Sequence, residues 1–237
     1  MNCSSANEFV GTIIHELQTP LQAIMASVDS LKMDPANTVK KNKSLERLEQ
    51  SVDILNRHVD DLRDYVQSDS KEFSIIETEV DTTAILNEVA LDFEPLAVRK
   101  NISLKVLSNS PLVTAVLDGQ RFRQIANNLV SNAIKYSDHG EVNLTLNIVN
   151  LTEECKTEIP ALMLSVSDTG RGIPKENIEL VFDPFFRSDT KDLSIKGMGL
   201  GLAITKRLCI RMGGKIEVFS NERKGSVFEV VLPIKLI

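Results

Sequence analysis

The sequence predicts an α+β protein in two parts: an N-terminal antiparallel helical hairpin, then an α/β sandwich. Two observations carry this. First, Val10, Ile14, Leu17, Leu21, Ile24, Val28 and Leu31 are spaced 4-3-4-3-4-3, and Leu45, Leu48, Val52, Leu55, Val59, Leu62 and Val66 are spaced 3-4-3-4-3-4. These are heptad seams of near-equal length on two helices. Second, the rest of the chain mixes strand-like runs with amphipathic helices, without the strict alternation of a parallel sheet.

Taken in order, the first seam ends at Met33-Asp34-Pro35-Ala36-Asn37-Thr38, which reads as a turn. One hairpin has a narrow seam and little core of its own. Two hairpins from two chains are therefore expected to form a four-helix bundle, making a homodimer. The alternative is packing of the hairpin on the rest of its own chain. The polar stretch Gln67-Ser68-Asp69-Ser70-Lys71-Glu72 reads as a linker and divides the chain into residues 1–70 and 71–237. Strands are expected over Phe73 to Val80, Ile102 to Leu107, Leu112 to Leu117, Val142 to Val149, Leu162 to Val166, Lys215 to Phe219 and Ser226 to Leu232. Helices are expected over Thr83 to Arg99, Arg121 to Tyr136 and Leu200 to Met212, with Asp118 placed to cap the second.

Composition narrows the function classes. The 237 residues are 42% hydrophobic and 25% charged, with 27 Lys plus Arg against 33 Asp plus Glu, a formal charge of −6. This acidic balance argues against nucleic acid as a partner, which calls for a basic footprint. Cys3, Cys155 and Cys209 are far apart and fit neither a disulfide framework nor a zinc spacing. Their pattern suits a reducing, cytoplasmic setting. No apolar stretch approaches the roughly 20 residues of a membrane span, and the N-terminus lacks signal-peptide character.

Five segments carry candidate chemistry. His15-Glu16-Leu17-Gln18-Thr19-Pro20 sets a histidine beside the first seam. Pro20 has no N–H, so the Glu16 carbonyl loses its helical partner and a bend is expected beside His15. Thr19 lies four residues from His15, on the same helix face. His58 and His139 read as ordinary structural or turn histidines. On the helix from Arg121, Phe122, Ile125, Leu129 and Ala133 share one face, while Gln124, Asn128, Asn132 and Lys135 form another. The second face suits a hydrated magnesium ion and a triphosphate, or is simply solvated. Ser167-Asp168-Thr169-Gly170-Arg171-Gly172 follows a strand. Asp168 can accept from an adenine amino group, and Gly170 and Gly172 allow close backbone approach, though Asp-x-Gly-x-Gly also makes ordinary turns. Lys196-Gly197-Met198-Gly199-Leu200-Gly201 opens a helix, whose N-terminal N–H groups suit phosphate. No βαβ unit precedes it, so a dinucleotide site lacks its required context. Between the glycine segments, Phe182-Asp183-Pro184-Phe185-Phe186-Arg187 and the polar run Ser188 to Lys196 read as a lid over a nucleotide, with Arg187 near the terminal phosphate, or as a plain surface loop.

These segments, in this order, resemble the transmitter region of a two-component sensor histidine kinase. His15 to Pro20 is similar to the phosphoacceptor box, Gln124 to Tyr136 to the asparagine box, and Asp168 to Gly172 to the first glycine box. Phe182 to Phe186 and Gly197 to Gly201 are similar to the phenylalanine box and the second glycine box. The resemblance implies a dimeric hairpin followed by a Bergerat-type (GHKL) ATP-binding sandwich. It implies ATP and Mg2+ as cofactors and a response-regulator receiver domain as partner. By the same resemblance His15 accepts phosphate, with Glu16 taking up its ring proton and Thr19 orienting a water for dephosphorylation of the regulator. Asn132 is the implied magnesium ligand. Asn128, Lys135, Tyr136, Asp168, Gly170, Gly172, Arg187, Gly197, Gly199 and Gly201 are the implied nucleotide-binding set. Two positions depart from the pattern: Gln18 replaces a basic residue, and the last glycine motif is reduced to Lys224-Gly225-Ser226, which leaves the role of that turn open. Competing expectations are another ATPase of the same superfamily, such as a chaperone or topoisomerase subunit, and a degenerate kinase serving as a dimeric scaffold.

Overall fold

The computed structural model describes residues 3–33, 37–70, 73–108, 114–152, 158–187 and 197–236. Several expectations fall wholly or partly outside these residues. They are the centre of the turn at Pro35, Lys71 and Glu72 of the linker, the strand start at Leu112, Cys155, and the polar run Ser188 to Lys196.

Helices α1 (Cys3–Met33) and α2 (Thr38–Asp69) form the hairpin. α1 continues through Pro20. Asn37 starts α2, its side chain accepting from the Lys40 N–H at 3.1 Å. The packing within the hairpin differs from a simple apolar seam. On α2, Ser44, Ser51, His58 and Tyr65, spaced seven apart, are buried; Ser44 and His58 bond to α1, and Tyr65 packs on Phe9 of α1 and on the sandwich. Pro20 and Ser27 are their buried counterparts on α1. Ser44 Oγ donates to Ser30 Oγ at 3.1 Å, tying the two helices. One position further along α2, the seam residues Leu45, Val52, Val59 and Val66 remain 36–63% exposed. On α1, Val10, Ile14, Leu21 and Met25 are exposed as well.

The second part is an α/β sandwich. Helices α3 (Thr82–Arg99), α4 (Gly119–Tyr136) and α5 (Gly201–Arg211) accompany a five-stranded sheet. Its strands are β2 (Ile102–Ser108), β4 (Gly140–Thr152), β5 (Glu158–Asp168), β6 (Lys215–Ser220) and β7 (Ser226–Pro233), in the order β2-β4-β5-β7-β6. The β2–β4 pair is parallel and the others are antiparallel. A second sheet joins β1 (Thr78–Asp81), β3 (Thr114–Leu117) and β8 (Lys235–Leu236). The strand expected over Phe73 to Val80 shrinks to β1, since only Thr78 to Asp81 find ladder partners on β3. β8 is an element the sequence pattern did not reveal, because two residues carry no periodicity.

Phe122, Ile125, Leu129 and Ile134 of α4 pack with Leu86 of α3 and with Leu144, Leu146, Leu162 and Leu164 of β4 and β5 in one buried core. Burying each such side chain stabilises by about 1.5–3 kcal/mol. Asp118 caps α4 as expected, accepting from Arg121 N–H at 3.0 Å; its other oxygen accepts from Ile76 N–H at 2.9 Å. The far end of α4 is held by Lys100, whose ammonium donates to the carbonyls of Ile134, Lys135 and Ser137 at 2.8, 3.0 and 3.0 Å. A cation at a helix C-terminus satisfies orphan carbonyls and opposes the negative end of the helix dipole.

Candidate active site

The apolar stripe of α4 turns its opposite face outward over two neighbouring cavities. The larger, about 430 Å³, is lined by Asn127, Asn128, Asn132, Lys135 and Tyr136 of α4, by the glycine segment 197–201, and by Arg57, His58 and Asp61 of α2. The smaller, about 90 Å³, is lined by Asp168, Gly172, Ile173, Ser226 and Phe228, among others. Asn132, Tyr136, Val181, Phe186 and Leu202 line both. Asn132 thus stands at the junction between a small pocket with an acidic acceptor and a large one with cationic walls.

In the smaller cavity Asp168 ends β5. One of its carboxylate oxygens accepts from Gly170 N–H at 2.8 Å and from Ser226 N–H at 3.3 Å. Burial pushes its pKa above the usual carboxylate range, and these two N–H groups oppose the shift. Gly172 has φ +68°, and a Cβ there would meet Asn221 O at 2.1 Å. The reduced motif at Lys224-Gly225-Ser226 is directly involved: Gly225 has φ +88°, a Cβ there would meet Asp168 O at 1.9 Å, and Ser226 is the second donor to Asp168. That turn therefore has a role, which its shortened pattern had left open.

The larger cavity is electropositive on one wall. α5 begins at Gly201 with no side-chain cap, so its first N–H groups are available to an anion. Gly197 has φ +143°, and a Cβ there would sit 3.0 Å from Lys135 Nζ. Burial, reinforced by Arg187, lowers the Lys135 pKa to about 8. On the α2 side, burial next to Asp64 raises the Asp61 pKa to about 6. Gly199 has φ +74° and its carbonyl accepts from Phe185 N–H at 3.0 Å, which fixes the phenylalanine segment over the glycine turn. Asn128 is spent on the same turn: its amide donates to Gly201 O at 3.2 Å and Thr205 Oγ1 at 3.3 Å. It braces the turn that faces the cavity. Asn127 Oδ1 is buried and has no partner among the described residues. It is a site residue the sequence reading passed over, because Asn127 lies outside the Gln124-Asn128-Asn132-Lys135 face.

His15 lines neither cavity. Its side chain is 80% exposed and its Nδ1 lies 4.0 Å from Glu16 Oε1. Glu16 also faces Arg187 of the sandwich, at 3.7 Å. Thr19 Oγ1 donates to His15 O at 3.2 Å. The sandwich docks on the hairpin close by. Arg207 stacks on Tyr65 at 3.9 Å from the ring centroid and donates to its hydroxyl at 2.8 Å; Gln124 donates to Asp64 at 2.7 Å; Phe185 meets Phe9 edge-on at 5.0 Å. Arg57, His58 and Asp61 of α2 were not expected at the site. They reach it only because the hairpin forms one wall of the larger cavity. Among the described residues there is no group of three or more His, Cys, Asp or Glu placed to hold a metal, and no helix long and apolar enough to cross a membrane.

Comparison with known proteins agrees with this geometry. Residues 117–236 match the family of histidine kinase-, DNA gyrase B- and HSP90-like ATPases, and residues 5–71 match the His kinase A phospho-acceptor domain. Sensor histidine kinase AtsR of Burkholderia thailandensis is 33% identical over 98% of this chain and 38% of its own length. Sensor histidine kinase RcsC of Escherichia coli is 33% identical over 97% of the chain and 23% of its own length. The chain thus spans well under half of these relatives. Among solved structures, full-length ShkA in complex with AMPPNP superposes with a TM-score of 0.71 at 26% identity, covering 97% of this chain and 46% of that one. Histidine kinase ThkA in complex with response regulator protein TrrA gives 0.72 at 25% identity, covering 98% and 63%. With an ATPase-type sandwich docked on a hairpin that matches the His kinase A phospho-acceptor domain, the chain belongs to the histidine kinase-, DNA gyrase B- and HSP90-like ATPase family and is similar to the transmitter region of two-component sensor histidine kinases.

Proposed function

We propose that this chain is an ATP-dependent protein-histidine kinase that phosphorylates His15 and passes the phosphoryl group to an aspartate of a response-regulator receiver domain. The observation that carries the reading is the pair of cavities joined at Asn132 and walled on one side by the hairpin that bears His15. The adenine enters the smaller cavity, where Asp168 accepts from its amino group and Tyr136 lies alongside. The triphosphate enters the larger one, toward Lys135, the N-terminus of α5 and the Gly197, Gly199 and Gly201 backbone. Gly170 and Gly172 keep the base pocket open. Asn132 would hold a hydrated Mg2+, which prefers oxygen ligands and keeps most of its waters, and the unpartnered Asn127 oxygen belongs to a residue lining the same cavity. When bound, that ion neutralises charge on the phosphates. The AMPPNP complex of ShkA supports the choice of nucleotide, and the ThkA–TrrA complex supports the choice of partner.

His15 Nε2 attacks the γ-phosphorus, the bond to the ADP oxygen breaks, and the imidazolium formed is stabilised by Glu16 facing Nδ1, which then takes the Nδ1 proton. Because Glu16 is held between His15 and Arg187, one carboxylate links the nucleophile to the nucleotide domain. His15 must still approach the cavity, so the docked arrangement opens or slides before transfer. Thr19 orients a water that hydrolyses the aspartyl phosphate of the regulator to inorganic phosphate; to do so its hydroxyl leaves the His15 carbonyl. The exposed apolar edge of the hairpin, Leu45, Val52, Val59 and Val66 with Val10, Ile14, Leu21 and Met25, is the homodimer face. Residues 1–70 serve dimerisation and phosphotransfer, and residues 71–237 bind ATP.

Incubation with γ-labelled ATP and magnesium tests the reading. Acid-labile, base-stable label that disappears in His15→Gln is the expected result. Absence of label, or label surviving His15→Gln, overturns it, and nucleotide binding without label favours a scaffold.

A further inference from the structure

His58 was read from sequence as an ordinary histidine, yet the structure gives it a specific task. It is 5% exposed, in the buried stripe Ser44-Ser51-His58-Tyr65 of α2. Its Nδ1 lies 3.2 Å from the backbone oxygen of Glu16 on α1. A carbonyl only accepts, so Nδ1 carries the proton and donates. Glu16 O is the carbonyl that would ordinarily accept from the N–H of residue 20, and residue 20 is Pro20, buried within α1. An orphan carbonyl in a helix–helix interface carries a desolvation cost unless another donor reaches it. His58 is that donor. Burial also pushes its pKa below the ordinary histidine range, so the ring stays neutral and its second nitrogen is an acceptor. The bond meets α1 one residue from His15, at the residue whose side chain faces Arg187, and the ring lines the larger cavity.

We propose that His58 is a positioning residue: its Nδ1–H replaces the amide missing at Pro20, locks α1 to α2 at the level of the phosphoacceptor, and so holds the backbone beside His15 in one register for its approach to the nucleotide. The effect on transfer rests on the kinase reading above, whereas the hydrogen bond itself does not.

Three variants test it in the full chain. His58→Leu removes the donor. His58→Asn keeps one, because the asparagine amide nitrogen stands close to where Nδ1 stood. Pro20→Ala returns an N–H to Glu16 O. Losing a donor to a buried carbonyl is expected to slow labelling of His15 about tenfold in His58→Leu at saturating ATP. Since the ring also lines the larger cavity, the test reads the rate at saturating ATP, and a change in KM for ATP does not enter it. His58→Asn should stay within about threefold of the unmodified chain. In a Pro20→Ala background, His58→Leu should cause no further slowing, and the fall in urea midpoint that it causes alone should vanish. His58→Asn as slow as His58→Leu, or an equal loss in both backgrounds, overturns the proposal. If the unmodified chain takes no label, the kinase reading fails, and the urea midpoints of the unmodified chain, His58→Leu, Pro20→Ala and the double variant still decide whether His58 serves the carbonyl freed by Pro20.

Discussion

The hairpin and the sandwich solve the burial problem in opposite ways. In the sandwich, the apolar face of α4 meets α3, β4 and β5, and Phe122, Ile125, Leu129 and Ile134 are fully buried. Its polar face is then free to line cavities. In the hairpin, the helices meet along Ser44, Ser51, His58, Tyr65, Pro20 and Ser27, while the apolar seam lies half outside. A sandwich of this kind closes its own core, whereas a hairpin with a serine-rich inner stripe depends on whatever covers its outer edge. The two cavities thus lie against the part with a closed core, and His15 lies on the part whose apolar edge is exposed.

Four substitutions would break or sharpen that contrast. Leu129→Ala opens a cavity in the sandwich core and should cost about 2–5 kcal/mol, lowering the denaturation midpoint sharply; a loss under about 1 kcal/mol would mean a core less closed than the packing implies. Val59→Glu puts a charge on the exposed edge of α2. It should shift a dimer toward monomer in sedimentation by about tenfold or more, while the nucleotide cavities stay intact. An unchanged sedimentation profile would point to a different dimer face.

Lys135→Met should weaken nucleotide binding about tenfold at pH 7, from loss of a charged hydrogen-bond donor. It should also change the pH profile. With its pKa lowered to about 8, Lys135 in the empty site sheds its proton above that pH. A bound triphosphate favours the charged form, so the unmodified chain must take up a proton to bind above pH 8. Its affinity should fall there, and titration calorimetry should find the Lys135→Met affinity flat across the same window. Lys100→Met removes the donor to three carbonyls at the end of α4 and should cost about 1 kcal/mol, seen as a modest fall in midpoint with little change in nucleotide affinity.

Much of the site was legible because its parts are local. Asp168, Gly170 and Gly172 lie within one turn, as do Gly197, Gly199 and Gly201, and Asn132 and Lys135 share one face of one helix. The heptad spacing also announced both hairpin helices, and α4 matched its expected capping by Asp118. The misses share a cause. Lys100 reaches α4 from 34 to 37 residues away, His58 reaches Glu16 from 42 away, and Gly225 abuts Asp168 across two strands. Asn128 illustrates a subtler limit: the resemblance placed it in the nucleotide-binding set, and the fold shows its amide donating to Gly201 and Thr205.

The sequence by itself determined the two-part architecture, the helical periods, the glycine turns and the identity of the nucleophile candidate, because each depends on neighbours within a few residues. Tertiary structure alone decided which stripe of each helix is inside the hairpin. It also brought Arg57, His58 and Asp61 against the larger cavity and supplied the carbonyl freed by Pro20 with a donor from another helix. Those outcomes depend on how helices of similar amphipathicity rotate and dock, and adjacent heptad stripes such as 44-51-58-65 and 45-52-59-66 compete for the interior until packing chooses between them.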